Sequence, residues 1–235
     1  SLAWLQEAVE TARASGDVRG LAMAVAVIAR PLHDLDRAAE AERAAEEAAR
    51  LASAVDDRWL RAWSNVNGLG YLRSRTARFA EADRAFGETE ALLSAPGSRP
   101  DPGMLGTARY GRAVGAWQMG AHEAAERHAR ASLAPLLEVG DVFMVSRSVL
   151  VLAYAAAARS AFAESARLLG LADRLRESVG VPILTIDAPR IHRLEARLTE
   201  ALGPETAAEE RRAGREMPLD ALASGADDGF RARRA

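Results

Sequence analysis

The chain has 235 residues, 49% of them apolar and 27% charged, with a formal net charge of -2; this is the balance of a soluble folded protein of one or two domains, without the basic excess of a nucleic-acid binder. Cysteine is absent and all 31 basic residues are arginine, which excludes disulfides, thiolate chemistry, cysteine-ligated metals, Schiff-base chemistry and the lysine of a P-loop. Alanine fills 53 positions while isoleucine occurs four times and asparagine twice, a composition that favours helices over strands.

The apolar period predicts helix after helix. The first runs from about Leu2 to Ala14 and stops at Gly16-Asp17; the second, about Val18 to Leu32, is apolar nearly all round and is expected to be buried. An alanine-rich helix with charged residues on its outer face follows over about Asp36–Ala54. The next, about Asp57–Arg73, carries Trp59, Trp63, Val66, Leu69 and Tyr71, and a fifth covers about Phe79–Leu93. Three prolines and two glycines in Ala95–Gly103 make a loop. Helices are then expected over about Met104–Met119, His122–Val139 (kinked or shortened by Pro135), Val142–Ala158 and Phe162–Val179. After a second loop at Gly180-Val181-Pro182 come a basic amphipathic helix, about Pro189–Leu202, and a polar one, about Pro204–Glu216. The end from Met217 has weak periodicity and is expected to be partly disordered. The longest apolar runs, Leu21–Ala29 and Val149–Ala158, fall far short of the ~20 residues of a membrane span. The start has no basic segment of the signal-peptide kind, so a cytoplasmic setting without membrane contact is expected.

Apolar, aromatic helices alternate with alanine-rich, charged ones. One landmark recurs: a turn, then a leucine, aromatic or histidine, then small residues. It stands at Leu35-Asp36-Arg37-Ala38, Phe79-Ala80-Glu81-Ala82, His122-Glu123-Ala124-Ala125 and Phe162-Ala163-Glu164-Ser165, at intervals of 44, 43 and 40 residues. Such a period marks stacked helix pairs, each too small to bury its own apolar face. The expected fold is all-α: a right-handed solenoid of antiparallel helix pairs near 1–33, 34–74, 76–120, 121–160 and 161–202, closed by a C-terminal helix and flexible tail over 203–235.

Catalytic and metal patterns are weak. His122-Glu123-Ala124-Ala125-Glu126 begins like a zinc-protease helix, but glutamate stands where the second histidine belongs, and His128 lies on another face. His33, beside Asp34 and Asp36, suits a turn and His192 a helix surface. Glu46-Glu47 and Asp56-Asp57 are adjacent residues that do not aim two carboxylates at one substrate. Arg211-Arg212 and Arg231-Ala232-Arg233-Arg234 read as solvated clusters. No catalytic residue, metal or cofactor is expected.

Trp63–Pro96 resembles a tetratricopeptide repeat: with Leu69-Gly70 on the Leu-Gly pair of that motif, Ala82 and Phe86 fall on its small and aromatic positions. Val55–Trp63 and Arg167–Pro182 are similar to repeat helices of large bacterial transcriptional regulators, the antibiotic-regulatory type and the LuxR-type ATP-binding regulators; Leu202-Gly203-Pro204-Glu205 fits the same pattern, and the region after Thr206 departs from it. The resemblance covers about residues 17–205. It implies a non-catalytic sensor or protein-interaction domain, an excised part of a longer chain carrying ATP-binding and DNA-binding modules, that holds a protein partner or small effector in its concave groove. A free-standing scaffold joining two proteins is the alternative. Neither reading involves direct nucleic-acid contact, and a monomer or weak homodimer through helix one is expected. Groove positions carried over from the repeat are Ser64, Asn67, Tyr71, Ser74 and Arg75 in the best unit and Arg30, Tyr110, Trp117, Gln118, Arg147 and Tyr154 in the others. Tyr71, Trp117 and Tyr154 equally suit the core of a helix pair.

Overall fold

The computed structural model describes residues 2–219 and Leu222. Among them the secondary structure is helical throughout, with no strand: α1 (Leu2–Ser15), α2 (Val18–Asp34), α3 (Ala38–Ala54), α4 (Arg58–Ser64), a π-helical segment (Asn65–Gly70), α5 (Tyr71–Arg75), α6 (Phe79–Ser94), α7 (Pro102–Gln118), α8 (His122–Glu138), α9 (Val142–Ala158), α10 (Phe162–Ser178), α11 (Ala188–Leu202) and α12 (Pro204–Glu216). No helix among the described residues is long and apolar enough to cross a membrane. The tail expected to be disordered lies, apart from Met217, Pro218, Leu219 and Leu222, outside the described residues. The chain divides into two compact units, Ser1–Gly115 and Ala116–Ala235, the division falling within α7.

The helix starts alternate in chemistry as the sequence alternates in polarity. The more apolar helices α2, α4, α7 and α9 begin at an aspartate that accepts a backbone N–H of the first turn: Asp17 from Gly20, Asp57 from Leu60, Asp101 from Met104 and Asp141 from Met144. The charged helices α3 and α6 begin instead at Arg37 and Arg78, with no side-chain cap. Each guanidinium forks onto the glutamate three residues on, Glu40 and Glu81, at 2.7–2.8 Å. In seven of the turns between helices one residue enters the left-handed region: Gly16, Asp36, Ala77, Gly120, Gly140, Ser160 and Gly180, with φ between 58° and 76°. From Gly120 onward that turn recurs every twenty residues, joining α8, α9 and α10 of 17 residues each. α8 runs through Pro135 to Glu138, so the proline does not shorten it.

In the first unit the alanine face of α3 (Ala41, Ala44, Ala45, Ala48) packs on Val25, Ala26, Ile28, Ala29 and Leu32 of α2. The π-helical segment reaches the same place: a Cβ on Gly68 would stand 3.6 Å from the Ala45 Cα and 3.8 Å from the Ala26 Cα. A single long helix over 57–73 was expected here. The rod instead widens at Asn65–Gly70, and the Asn67 side chain donates to the Trp63 carbonyl at 3.1 Å. Behind it Phe86, 4% exposed, lies with its ring against the backbones of Gly70 and Gly111; a Cβ would sit 2.6 Å from the ring at the first and 2.4 Å at the second. Between α6 and α7, Glu90 accepts from Arg109 at 2.7 Å and from Arg112 at 3.0 Å, while Arg112 also donates to Asp83 at 2.9 Å.

In the second unit α9 is the central element, buried at Val145, Val149 and Val151–Ala157. The Ser132 hydroxyl donates to that of Ser148 at 2.8 Å, and Ser165 donates to the Ala153 carbonyl, so these three buried hydroxyls have partners. α12 lies on α10 at a crossing of two glycines. A Cβ on Gly170 would stand 1.9 Å from the Arg211 carbonyl oxygen, and one on Gly214 1.9 Å from that of Arg167. Around this backbone contact Asp173, 5% exposed, accepts two N–H groups of Arg211, which also donates to Glu195 of α11. Arg215 pairs with Glu177, Arg167 with Glu210, and Arg174 donates to the Met217 carbonyl.

These pairs set the acid response. The hydrogen bond from Arg78 holds the Glu81 carboxyl at about 2, against its ordinary 4.5. Burial pushes Glu90 upward, but the two guanidiniums outweigh it and leave the group below its ordinary value. Arg37 lowers Glu40 and Arg215 lowers Glu177 in the same sense. A depressed folded pKa adds stability that is present above the unfolded value and is lost as pH falls through the folded one. Melting temperature is therefore expected to fall between about pH 4.5 and pH 2, the interval set by Glu81. Glu81→Gln should flatten part of that fall in calorimetry; an unchanged profile would show that the pair carries no pH dependence.

Candidate functional site

Of the groove positions read from the sequence, those of the first unit make local contacts. Arg30, exposed, lays its guanidinium over the Tyr71 ring at 4.2 Å, and Arg75 stands 3.9 Å from Asp34. Asn67 is occupied with the Trp63 carbonyl. Ser64 is buried at 1% exposure, whereas Ser74 and Tyr110 are half-buried. A second aromatic cluster of this unit was not anticipated as such. Trp59 and Trp63 stack at 5.4 Å, the Trp59 indole N–H donates to Asp101 at 2.9 Å, and Arg19 and Arg99 lie over the Trp59 ring at 5.4 and 5.2 Å.

In the second unit Trp117 and Tyr154 come together. Their rings stack with centroids 4.5 Å apart and an interplanar angle of 18°, the offset geometry aromatic pairs favour. Trp117 sits at the end of α7, half-buried, and Tyr154 in the last turns of α9, 8% exposed. Gln118 follows Trp117 and is half-buried. Arg147 is turned elsewhere, 3.2 Å from Asp187, in a tighter apolar pocket formed with Phe143, Leu150, Leu169 and Ile191.

The stacked pair floors an open cleft of about 400 Å³, bounded by Ala157 and Ala158, by His122 at the start of α8 and by four residues of α11: Arg190, Arg193, Leu194 and Arg197. α11 is aimed by its own amphipathicity. Ile191, Leu194 and Leu198 are buried, and residues three and four apart share a helix face, so 190, 193 and 197 form one row beside the buried stripe. Arg190 lies over the Trp117 ring at 5.5 Å and Arg197 over the Phe162 ring at 5.3 Å. Arg193 and Arg197 are exposed. None of the three has a carboxylate partner among the described residues, and Glu200, one turn further along α11, pairs with none of them. Arginines facing one another elsewhere do have acids between them, as at Glu90 and Asp173.

The sequence marked the two aromatics through their repeat positions and the helix as basic and amphipathic; it did not join them. The row at 190, 193 and 197 carries a helical-face signal, but the helix that it faces is a matter of tertiary packing. Among the described residues no group of three or more histidines, aspartates and glutamates could hold a metal ion. The arrangement offers an aromatic floor for apolar contact and three guanidiniums for carboxylate or phosphate oxygens. In comparison with known proteins, the chain matches no family model and no curated protein.

Proposed function

We propose that the chain is a non-catalytic binding domain of a bacterial transcriptional regulator. In this reading it is a right-handed solenoid of antiparallel helix pairs of tetratricopeptide type. It holds a partner segment or small effector and relays its presence to ATP-binding and DNA-binding modules of a longer chain. The observation that carries the binding half is the cleft over Trp117 and Tyr154, where aromatic surface converges with three guanidiniums that have no acid partner among the described residues. Residues of these kinds dominate recognition surfaces because each combines large contact area with directional hydrogen bonding. The twenty-residue recurrence of the left-handed turn and the equal lengths of α8, α9 and α10 support the repeat reading. The regulator half rests on the sequence resemblance of Val55–Trp63 and Arg167–Pro182.

Mass spectrometry of the endogenous polypeptide tests the regulator half. A product several hundred residues longer, with an ATP-binding motif upstream, supports it. A polypeptide of this length alone would overturn it and favour the free-standing scaffold.

A further inference from the structure

We infer that the cleft of the second unit takes an acidic peptide segment of a protein partner, its carboxylates seated on Arg190, Arg193 and Arg197 and an apolar side chain laid beside Trp117. This rests on the binding-domain reading above and names the class of ligand.

The spacing comes first. Seven residues of helix separate Arg190 from Arg197, a rise of about 10 Å. A row of that length outreaches one phosphate or one carboxylate and matches several acids spaced along a chain. Charge comes second. Cations four apart on a helix repel each other, and Arg193 and Arg197 are so placed with no acid paired to either among the described residues, which leaves the row open to an acidic ligand. Shape is third. The cleft is open, with Arg193 and Arg197 of its wall exposed, whereas sites for small molecules enclose most of their ligand; an open trough beside an aromatic floor suits an extended or helical segment. Nucleic acid is disfavoured by scale, since three cations on a chain of net charge -2 are few against a polyphosphate backbone.

The test is fluorescence anisotropy on the full chain at low ionic strength. The probes are a short fluorescein-labelled peptide of glutamates and leucines with one tryptophan, the same peptide with glutamine for glutamate, sodium tripolyphosphate as competitor and a labelled oligo-dT. The acidic peptide is expected to bind and the glutamine peptide to bind at least about tenfold more weakly, in line with the loss of charge-assisted pairs. Arg193→Gln/Arg197→Gln should cost a similar factor. Both side chains are exposed, so the fold should survive, which circular dichroism checks. Arg127→Gln, on an exposed arginine of α8 outside the cleft, should change nothing. Peptide binding indifferent to the double variant would overturn the inference, as would tighter binding of oligo-dT. If tripolyphosphate binds through the same arginines and the peptide does not, the ligand class falls while the small-effector reading stands. If no probe binds, both fall.

Discussion

Gly170→Ala is expected to detach α12 and lower the stability of the second unit by about 3 kcal/mol, the upper range for forcing an atom into packed structure. The reason is geometric. The new Cβ would lie 1.9 Å from the Arg211 carbonyl oxygen, and the neighbour is backbone, which cannot rotate aside as a side chain would. Gly214→Ala meets the Arg167 carbonyl in the same way and should have the same effect. Once α12 moves, Asp173 loses Arg211 and becomes a buried carboxylate stripped of its main partner, which adds to the cost. A melting temperature lower by roughly 6–12 °C is expected, with early tryptic cleavage at Arg211, Arg212 and Arg215. Gly87→Ala is the control. On α6 a Cβ would come no nearer than 3.9 Å to the Arg112 side chain, and removing a mid-helix glycine should stabilise by up to about 1 kcal/mol. Equal melting temperatures for Gly170→Ala and the parent chain would show that the crossing does not hold α12.

Phe86→Ala is expected to cost about 3–5 kcal/mol, the range for deleting a buried aromatic side chain. Its ring fills the space that Gly70 and Gly111 leave open, and no other side chain of the cluster around Ala62, Val66, Ala82, Met104 and Ala108 can follow it in without leaving a gap of its own. The same geometry predicts coupling. Gly111→Ala drives a Cβ into the ring and should destabilise the parent chain, yet cost less in the Phe86→Ala background, where the ring is gone. Chemical denaturation of the four proteins of this cycle measures the interaction. Strict additivity would contradict the placement of Phe86 between the two glycines.

Most helices were legible because their boundaries are written in local chemistry. Gly16, Gly120, Gly140 and Gly180 stop helices where the backbone turns left-handed, and aspartates at 17, 57, 101 and 141 start the next ones. The π-helical segment was not legible. Its two glycines and two asparagines over Asn65–Gly70 are weak helix formers, but apolar positions on both sides keep a helical period, and one wider turn does not break it. The docking of α12 was hidden for another reason. Its surface residues are nearly all polar, so no apolar stripe announces a buried face; a glycine and arginine–carboxylate pairs make the contact instead. At the site, Trp117 and Tyr154 could be picked from repeat positions. Arg190, Arg193 and Arg197 were read only as the basic face of a helix, because which cleft a surface row overlooks depends on elements far away in sequence.

Ligand is expected to bind over Trp117 and Tyr154, between α11 and the end of α9. Indole N–H resonances report it directly, since the chain has four tryptophans and Trp59 and Trp63 stand in a separate stacked cluster of the first unit. Nitrogen-15 correlation spectra recorded while the acidic peptide is titrated into the full chain should move the Trp117 resonance, assigned by Trp117→Phe, and leave those of Trp59 and Trp63 in place. Movement of Trp59 or Trp63 with Trp117 unchanged, or no movement of any indole at saturating peptide, would place the binding site elsewhere or exclude it.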